Sequence, residues 1–290
     1  MIWIELAGWS DVGRRREVNE DRLFYQVQQS SDTSPTALCI VADGVGGHLG
    51  GKVASHWAVE TIKRELADLF IPQDPRATLH LTQAEIQSLL AGEDDDESTE
   101  RAPSFEARSI SRIRTAIEKA NAAVREYALR RPDEARGAGS TVTMVLLKGL
   151  RAYVANVGDS RTYLLRNSRL APLTHDHSLV AELVSAGKIT PEQALDHPQS
   201  NLITRCLGYV DQIEVDINAH DLCSGDCLLL CSDGLWDALR DPGLMTRIIR
   251  SVPDLETAAH RLVQAANHSG GRDNIAVALL RVKERADIPV

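Results

Sequence analysis

Ala37-Leu38-Cys39-Ile40-Val41-Ala42-Asp43-Gly44-Val45-Gly46-Gly47-His48 opens with six apolar residues in succession and ends in a carboxylate followed by glycines. An unbroken apolar run reads as a strand covered on both faces, because a half-exposed strand alternates apolar with polar residues. Such a strand carries Asp43 on a rigid stem. Gly44, Gly46, Gly47, Gly50 and Gly51 remove side chains behind it, so that an ion, a phosphate or another backbone can come close. Asp-Gly after a strand is also a hairpin-turn signal, and one instance does not separate the two readings. The pattern recurs, however. Asp226-Cys227-Leu228-Leu229-Leu230-Cys231-Ser232 runs into Asp233-Gly234, and Ala152-Tyr153-Val154-Ala155-Asn156-Val157 runs into Gly158-Asp159-Ser160-Arg161. Strand-end carboxylates at Asp43, Asp159 and Asp233 suggest a site for a hard cation.

With 290 residues and 43% hydrophobic content, the chain can bury a sizeable core as one large domain. A net charge of −9 argues against a nucleic-acid binder, whose affinity rests on clustered Lys and Arg. The five cysteines lack paired Cys-x-x-Cys knuckles and read as buried thiols in a reducing compartment. No apolar stretch approaches the ~20 residues that span a bilayer, and the first residues lack a basic segment followed by a long apolar one. These features predict a cytoplasmic protein with no membrane or nucleic-acid partner.

Residues 2–9 and 23–28 read as strands flanking the polar loop from Ser10 to Asp21, which holds Arg14, Arg15 and Arg16. A solvated basic loop is one reading. If the second strand pairs with the Asp43 strand, Arg16 and Asp21 face the same sheet end as Asp43, and an arginine fork beside metal ions suits a phosphate dianion. Gly51 to Phe70 has helical spacing, which places Trp57 in the core. The segment 72–108, with prolines and the acidic run Glu93-Asp94-Asp95-Asp96-Glu97, reads as a solvated excursion. Helical spacing returns from Ile110 to Tyr127 and stops near Pro132. Short-looped strands follow over Gly139–Leu147, Arg151–Val157 and Thr162–Arg166, so the chain reads as a layered α+β domain. From Thr174 to Gly208 the sequence is polar and mainly helical, with a helix start at Thr190-Pro191. His175 and His177 form an H-x-H pair but lack a third nitrogen ligand, which favours loop or capping histidines. A last helix, Leu255 to Ala266, precedes Asp273-Asn274 and the strand Ile275–Leu280; Asp273 is either a further site carboxylate or part of a helix-to-strand turn.

The order of these motifs resembles the metal-dependent protein serine/threonine phosphatases of type 2C, and Gly46-Gly47-His48 resembles their bacterial branch. The motifs run Arg16-x-x-Asn19-Glu20-Asp21, Asp43-Gly44-x-Gly46-Gly47-His48, Gly139-Ser140-Thr141, Gly158-Asp159-Ser160-Arg161, Ser232-Asp233-Gly234-x-Trp236-Asp237 and Asp273-Asn274. The resemblance spans about residues 5 to 282. It implies an α+β fold in which a central β-sandwich of two antiparallel sheets is flanked by helices on both faces. It also implies one domain over residues 1–290 with a small helical flap at about 174–207.

The implied cofactors are two Mn²⁺ or Mg²⁺ ions, with a third, weaker position. Asp43 would bridge two ions, the Gly44 carbonyl would bind the second, and Asp233 and Asp273 would complete the first. Asp21, with Glu20 beside it, would act on the second through water. Asp159 with Asp233 matches the third position, with Asp237 a further candidate. Arg16 would hold the substrate phosphate. The implied reaction is hydrolysis of phosphoserine and phosphothreonine in proteins by a water bridging the ions, opposing Ser/Thr kinases, by a monomer. The oxygen-only ligand set suits these ions independently of the resemblance, and no Ser-His-Asp set or Cys-x5-Arg loop supplies a covalent nucleophile. Eukaryotic relatives carry a general-acid histidine where this chain has Val45, so a metal-bound water is the expected proton donor. A small-molecule phosphate-ester metallohydrolase would share every ligand, whereas a non-catalytic phosphoprotein-binding module would have lost one or two of the carboxylates.

Overall fold

The computed structural model describes residues 2–29, 34–46, 50–71, 104–135 and 137–284. Strand β3 (Thr36–Ala42) is buried at every position. Ala37, Cys39 and Val41 face the interior between two sheets. Leu38, Ile40 and Ala42 face helices α1 (Gly50–Glu65) and α2 (Phe105–Arg130) on the outer side. Apolar contact on both sides explains why the run does not alternate.

One five-stranded sheet has the order β10 (Asp216–Asp221), β7 (Arg151–Val157), β6 (Val142–Lys148), β3 and β2 (Arg22–Gln28). The other has the order β1 (Ile2–Asp11), β12 (Ile275–Glu284), β11 (Cys227–Cys231), β8 (Arg161–Arg166) and β9 (Arg169–Pro172). Every neighbouring pair is antiparallel. A separate two-stranded ladder joins β4 (Gly44–Val45) to β5 (Gly139–Ser140). The outer face of the second sheet packs Leu229, Val277 and Leu279 against α7 (Pro242–Arg250) and α8 (Leu255–His268). The result is the expected α+β sandwich, with helices on both outer faces.

Short polar connections behave as their residues dictate. Asn167 and Ser168 between β8 and β9 both take positive φ, 50° and 64°, as a tight hairpin turn requires. Thr190 caps the helix that Pro191 opens; its hydroxyl accepts from the Gln193 amide, and the Gln193 side chain accepts from the Thr190 amide. The segment expected as a flap holds α4 (Leu179–Ser185) and α5 (Pro191–Leu195), with α3 (Pro132–Ala135) and α6 (Asp233–Trp236) as short turns elsewhere.

Several expectations are corrected. Trp57 lies on the outer face of α1, 37% exposed, because the buried stripe of that helix runs through Ala54, Ala58, Thr61 and Ile62. Cys223 is exposed while the other four cysteines are buried, since it sits in the turn before β11. The helix from Gly50 ends at Glu65 and is followed by a 3₁₀ turn over Ala67–Phe70. Helix α2 begins at Phe105, capped by Ser104, inside the range assigned to the solvated excursion. The strand expected over Gly139–Leu147 breaks at Thr141, whose amide leaves the ladder to donate to the Asp43 carbonyl at 2.8 Å. Strand β10 and helix α7 had no sequence reading. His48 and the acidic run Glu93–Glu97 lie outside the described residues.

Candidate metal centre

The strand registers bring the motif residues to one end of the sandwich. Arg22 pairs with Ala42, so Asp21 and Asp43 adjoin across two strands. In the other sheet Cys231 lies between Arg161 and Val277, which places Asp233 beside Asp159 and Asp273. None of the three Asp-Gly or Gly-Asp motifs is a hairpin. Asp43-Gly44 leads from β3 into β4, Gly158-Asp159-Ser160 carries the chain from one sheet to the other, and Asp233 starts the turn of α6.

Side-chain hydrogen bonds hold each stem. The Asp43 amide donates to Thr141 Oγ1 at 3.0 Å, and its carbonyl accepts from Ser140 Oγ at 3.1 Å. Ser232 Oγ donates to Asp21 Oδ2 at 2.6 Å and accepts from the Ala276 amide at 2.9 Å. Asn274 joins the N-terminal loop to β12: its Oδ1 accepts from the Glu20 amide at 2.8 Å, and its Nδ2 donates to the carbonyls of Val12 at 2.9 Å and Val18 at 3.0 Å. Gly44 and Gly51 approach so closely that a Cβ on Gly44 would lie 2.1 Å from the Gly51 carbonyl oxygen. The Glu20 carboxyl faces the first-turn amides of α1 at Gly51 and Lys52; burial raises its pKa more than those amides lower it.

The electrostatics of the cluster are those of crowded carboxylates. Burial, reinforced by Asp21, Asp233, Asp159 and Asp273, pushes Asp43 well above the usual carboxylate range. Burial outweighs the bond from Ser232 and, with Asp233 and Asp273, pushes Asp21 up to about 8. Burial with Asp233 and Asp176 pushes Asp159 up to about 8, and burial with Asp273 pushes Asp233 up to about 6. Asp21 Oδ1 and Asp233 Oδ1 are buried and have no hydrogen-bond partner. Buried carboxylate oxygens without donors, raised by one another, are the mark of a site whose counter-charge is a cation. The all-oxygen donor set fits Mg²⁺ or Mn²⁺.

Among the described residues no three His, Cys, Asp or Glu side chains close on a common point tightly enough to hold an ion as they stand. Asp273 is turned to Arg16, whose Nη2 donates to its Oδ2 at 2.8 Å. Arg16 is therefore beside the cluster, half exposed, and paired with a carboxylate. Asp237 is paired with Arg240, Nη2 to Oδ1 2.9 Å. His177 is a buried loop histidine bonded to Gly158 and Asp216, in agreement with the non-ligand reading. Sequence reasoning gave no role to Ser55, which donates to the Glu20 carbonyl, to Ser232, or to Trp236, whose Nε1 donates to the Asp159 carbonyl at 3.0 Å.

Residues 13–268 match the family model described as protein phosphatase 2C. The chain is 36% identical over 271 residues to the serine/threonine phosphatase stp of Listeria monocytogenes, covering 93% of each. It is 33% identical over 282 residues to the protein phosphatase PhpP of Streptococcus pneumoniae, covering 97% of this chain and 98% of that one. Among solved structures it resembles the catalytic domain of the serine/threonine protein phosphatase PstP in complex with two manganese ions. That match has a TM-score of 0.72 and 29% identity, and it covers 98% of this chain and 100% of that one. By the family match over residues 13–268 and by its identity to these relatives over nearly their whole length, the chain belongs to the protein phosphatase 2C family.

Proposed function

We propose that this chain hydrolyses phosphoserine and phosphothreonine in proteins with two Mn²⁺ or Mg²⁺ ions, opposing one or more Ser/Thr kinases. The observation that carries the reading is the close cluster of Asp21, Asp43, Asp159 and Asp233, with orphaned buried oxygens on Asp21 and Asp233 and with Asp273 at its partly exposed edge. Asp43, the Gly44 carbonyl, Asp233 and Asp273 would hold the two ions, with Asp21 and Glu20 beside them, and Asp159 with Asp233 would offer a third, weaker position. When bound, the ions supply an acidified water for attack on phosphorus and charge for the equatorial phosphate oxygens.

The remaining work falls to the chain. Thr141 and Ser140 fix the Asp43 backbone, so its carboxylate is pre-aimed. Arg16 is long and half exposed, and its guanidinium clamps two phosphate oxygens once the substrate takes the place of Asp273 as its anion. Cys39, Cys227 and Cys231 are buried, and burial pushes each thiol pKa up, to about 12 for Cys39 and Cys227, so none is a thiolate nucleophile. Val45 offers no proton, which leaves water as donor to the departing serine or threonine oxygen. In this reading the protein is a cytoplasmic monomer, one domain with a flap at 174–207. Among the described residues no helix is long and apolar enough to cross a membrane.

The test is release of phosphate from a phosphothreonine peptide by purified protein. Turnover is expected with added Mn²⁺, is lost in excess chelator, and returns when Mn²⁺ is restored. Turnover confined to small phosphate esters would favour the metallohydrolase alternative, and peptide binding without phosphate release would favour the binding module. Full activity in chelator after extensive dialysis refutes the metal mechanism.

A further inference from the structure

The turn that carries Asp159 is held from outside the sandwich by the base of the flap segment. His177 is 6% exposed, and its Nδ1 accepts from the Gly158 amide at 3.0 Å while its own amide donates to the Gly158 carbonyl at 2.9 Å. Since Nδ1 accepts, a neutral ring carries its hydrogen on Nε2, which donates to Asp216 Oδ2 at 3.1 Å. Arg205 Nη1 also lies 3.1 Å from Nε2 but is itself a donor; its acceptor is Asp216 Oδ1 at 2.9 Å. The His177 carbonyl accepts from the Thr204 amide at 2.8 Å, and Ser178 bridges to Ile203, so both ends of the flap segment meet at this ring.

The residue before His177 grips the other side of the same turn. Asp176 takes Arg161 in a fork, Nε to Oδ1 2.9 Å and Nη2 to Oδ2 2.6 Å. The Arg161 guanidinium lies over the Trp236 ring, 3.6 Å from its centroid, and Trp236 Nε1 donates to the Asp159 carbonyl. Gly158 has φ +104°, and a Cβ there would lie 2.6 Å from Thr141 Cγ2, so Gly158 itself carries no side chain to fix the turn. Asn156 Nδ2 donates to the Gly158 carbonyl at 3.0 Å and Ser160 Oγ pairs with Thr141 Oγ1 at 2.7 Å, and the His177 ring takes up the Gly158 amide that these leave, so it helps to set the turn's orientation.

We propose that His177 is a positioning residue that aims Asp159 into the metal cluster and couples that aim to the seating of the flap through Asp216 and Arg205. The inference rests on Asp159 being a metal ligand in the phosphatase reading. Burial holds the His177 ring below its ordinary pKa, in keeping with a neutral acceptor at Nδ1.

Three substitutions separate this role from bulk stability. His177→Asn keeps an acceptor at the δ position, the isosteric His177→Leu removes it, and His177→Gln reaches toward Asp216 but has no δ acceptor. Calorimetric titration with Mn²⁺ counts bound ions, phosphopeptide kinetics separate kcat from KM, and thermal unfolding reports stability. His177→Leu and His177→Gln are expected to lose the weakest Mn²⁺ site and about tenfold or more in kcat, with KM within about threefold of wild type. His177→Asn is expected to retain that site and to stay within about threefold of wild type in kcat. Asp159→Asn should lose the same site. If His177→Leu does not fold, His177→Gln decides by the same criterion. Equal losses in the Asn and Leu variants, or a full Mn²⁺ count in both Leu and Gln, overturn the proposal. If Asp159→Asn itself keeps every Mn²⁺ site, the Asp159 assignment fails and the positioning role falls with it. Absence of phosphopeptide turnover by the wild type would instead overturn the phosphatase reading, leaving the Mn²⁺ count to judge His177.

Discussion

Arg16 meets Asp273 at 2.8 Å with half of its side chain in solvent, so its engagement is electrostatic and exchangeable. An exposed pair of this kind is worth about 0–1 kcal/mol, which limits how far losing it can shift metal affinity to about fivefold. Loss of a bidentate phosphate contact costs more, because the partner anion is then left without its clamp. Arg16→Ala is therefore expected to raise KM for a phosphopeptide at least about tenfold, with kcat also falling if the clamp tightens in the transition state. The Mn²⁺ concentration at half-maximal activity should change by less than about fivefold. Arg14→Ala and Arg15→Ala, exposed neighbours in the same loop, should stay near wild type. Equal effects at the three positions refute the clamp, and a larger shift in Mn²⁺ requirement for Arg16→Ala means that it serves the ions. At this scale the carboxylates were legible because Asp at a strand exit is chemically conspicuous. Ser232, Ser55, Thr141 and His177 were not: serine, threonine and histidine in loops read as caps and turns, and only the fold reveals that their partners are Asp21, Glu20, Asp43 and Gly158.

Elements were legible where both of their faces are dry or where one face is cleanly apolar. Strand β3 and strand β11 are buried throughout, and their unbroken runs announced them. Strand β10, Asp-Ile-Asn-Ala-His-Asp, is an edge strand whose pattern carries little hydrophobic signal, and pairing with β7 creates it. The turn between β10 and β11 is fastened by a charge. Asp226 is nearly excluded from solvent and accepts from Arg166 Nε at 2.8 Å and from the Cys223 amide at 2.8 Å. Burial alone would raise the carboxyl, but Arg166 and the Cys223 amide outweigh it and hold it below its ordinary pKa. A depressed carboxylate contributes stability that is present above its unfolded pKa of about 3.8 and is lost as pH falls through the folded value. Asp226→Ala is expected to cost about 1–2 kcal/mol at pH 7, discounted for the exposure of Arg166, and the gap to wild type should narrow below about pH 4. Denaturant unfolding at several pH values checks this, and a gap that stays constant down to pH 3 would show that the pair is not what holds the turn.

At the scale of the whole molecule, one end of an otherwise well-packed sandwich is held in a state that favours a ligand over stability. The two sheets bury Ile4, Val41, Leu228, Leu230 and Leu280 between them, so the rest of the core is not in question. Burial first, and then the repulsion of the neighbouring carboxylates, raises the pKa values of Asp21, Asp43, Asp159 and Asp233 above that core. Neutralising Asp43 should relieve that repulsion in the absence of metal, while removing the ligand proposed to serve both ions. Asp43→Asn is therefore expected to raise Tm in excess chelator and to abolish turnover, a loss well beyond the tenfold that corresponds to ~1.4 kcal/mol of barrier. In the wild type, Mn²⁺ bound at the proposed site is expected to stabilise the folded chain by about 2.7 kcal/mol at a free concentration 100 times Kd. Asp43→Asn should show little of that gain, so the order of the two proteins in Tm reverses between chelator and saturating Mn²⁺. A crossing of this kind separates a metal ligand from a structural aspartate, whose loss would lower Tm under both conditions. If Asp43→Asn is less stable than wild type in chelator, Asp43 supports the fold and its assignment as the bridging ligand is wrong.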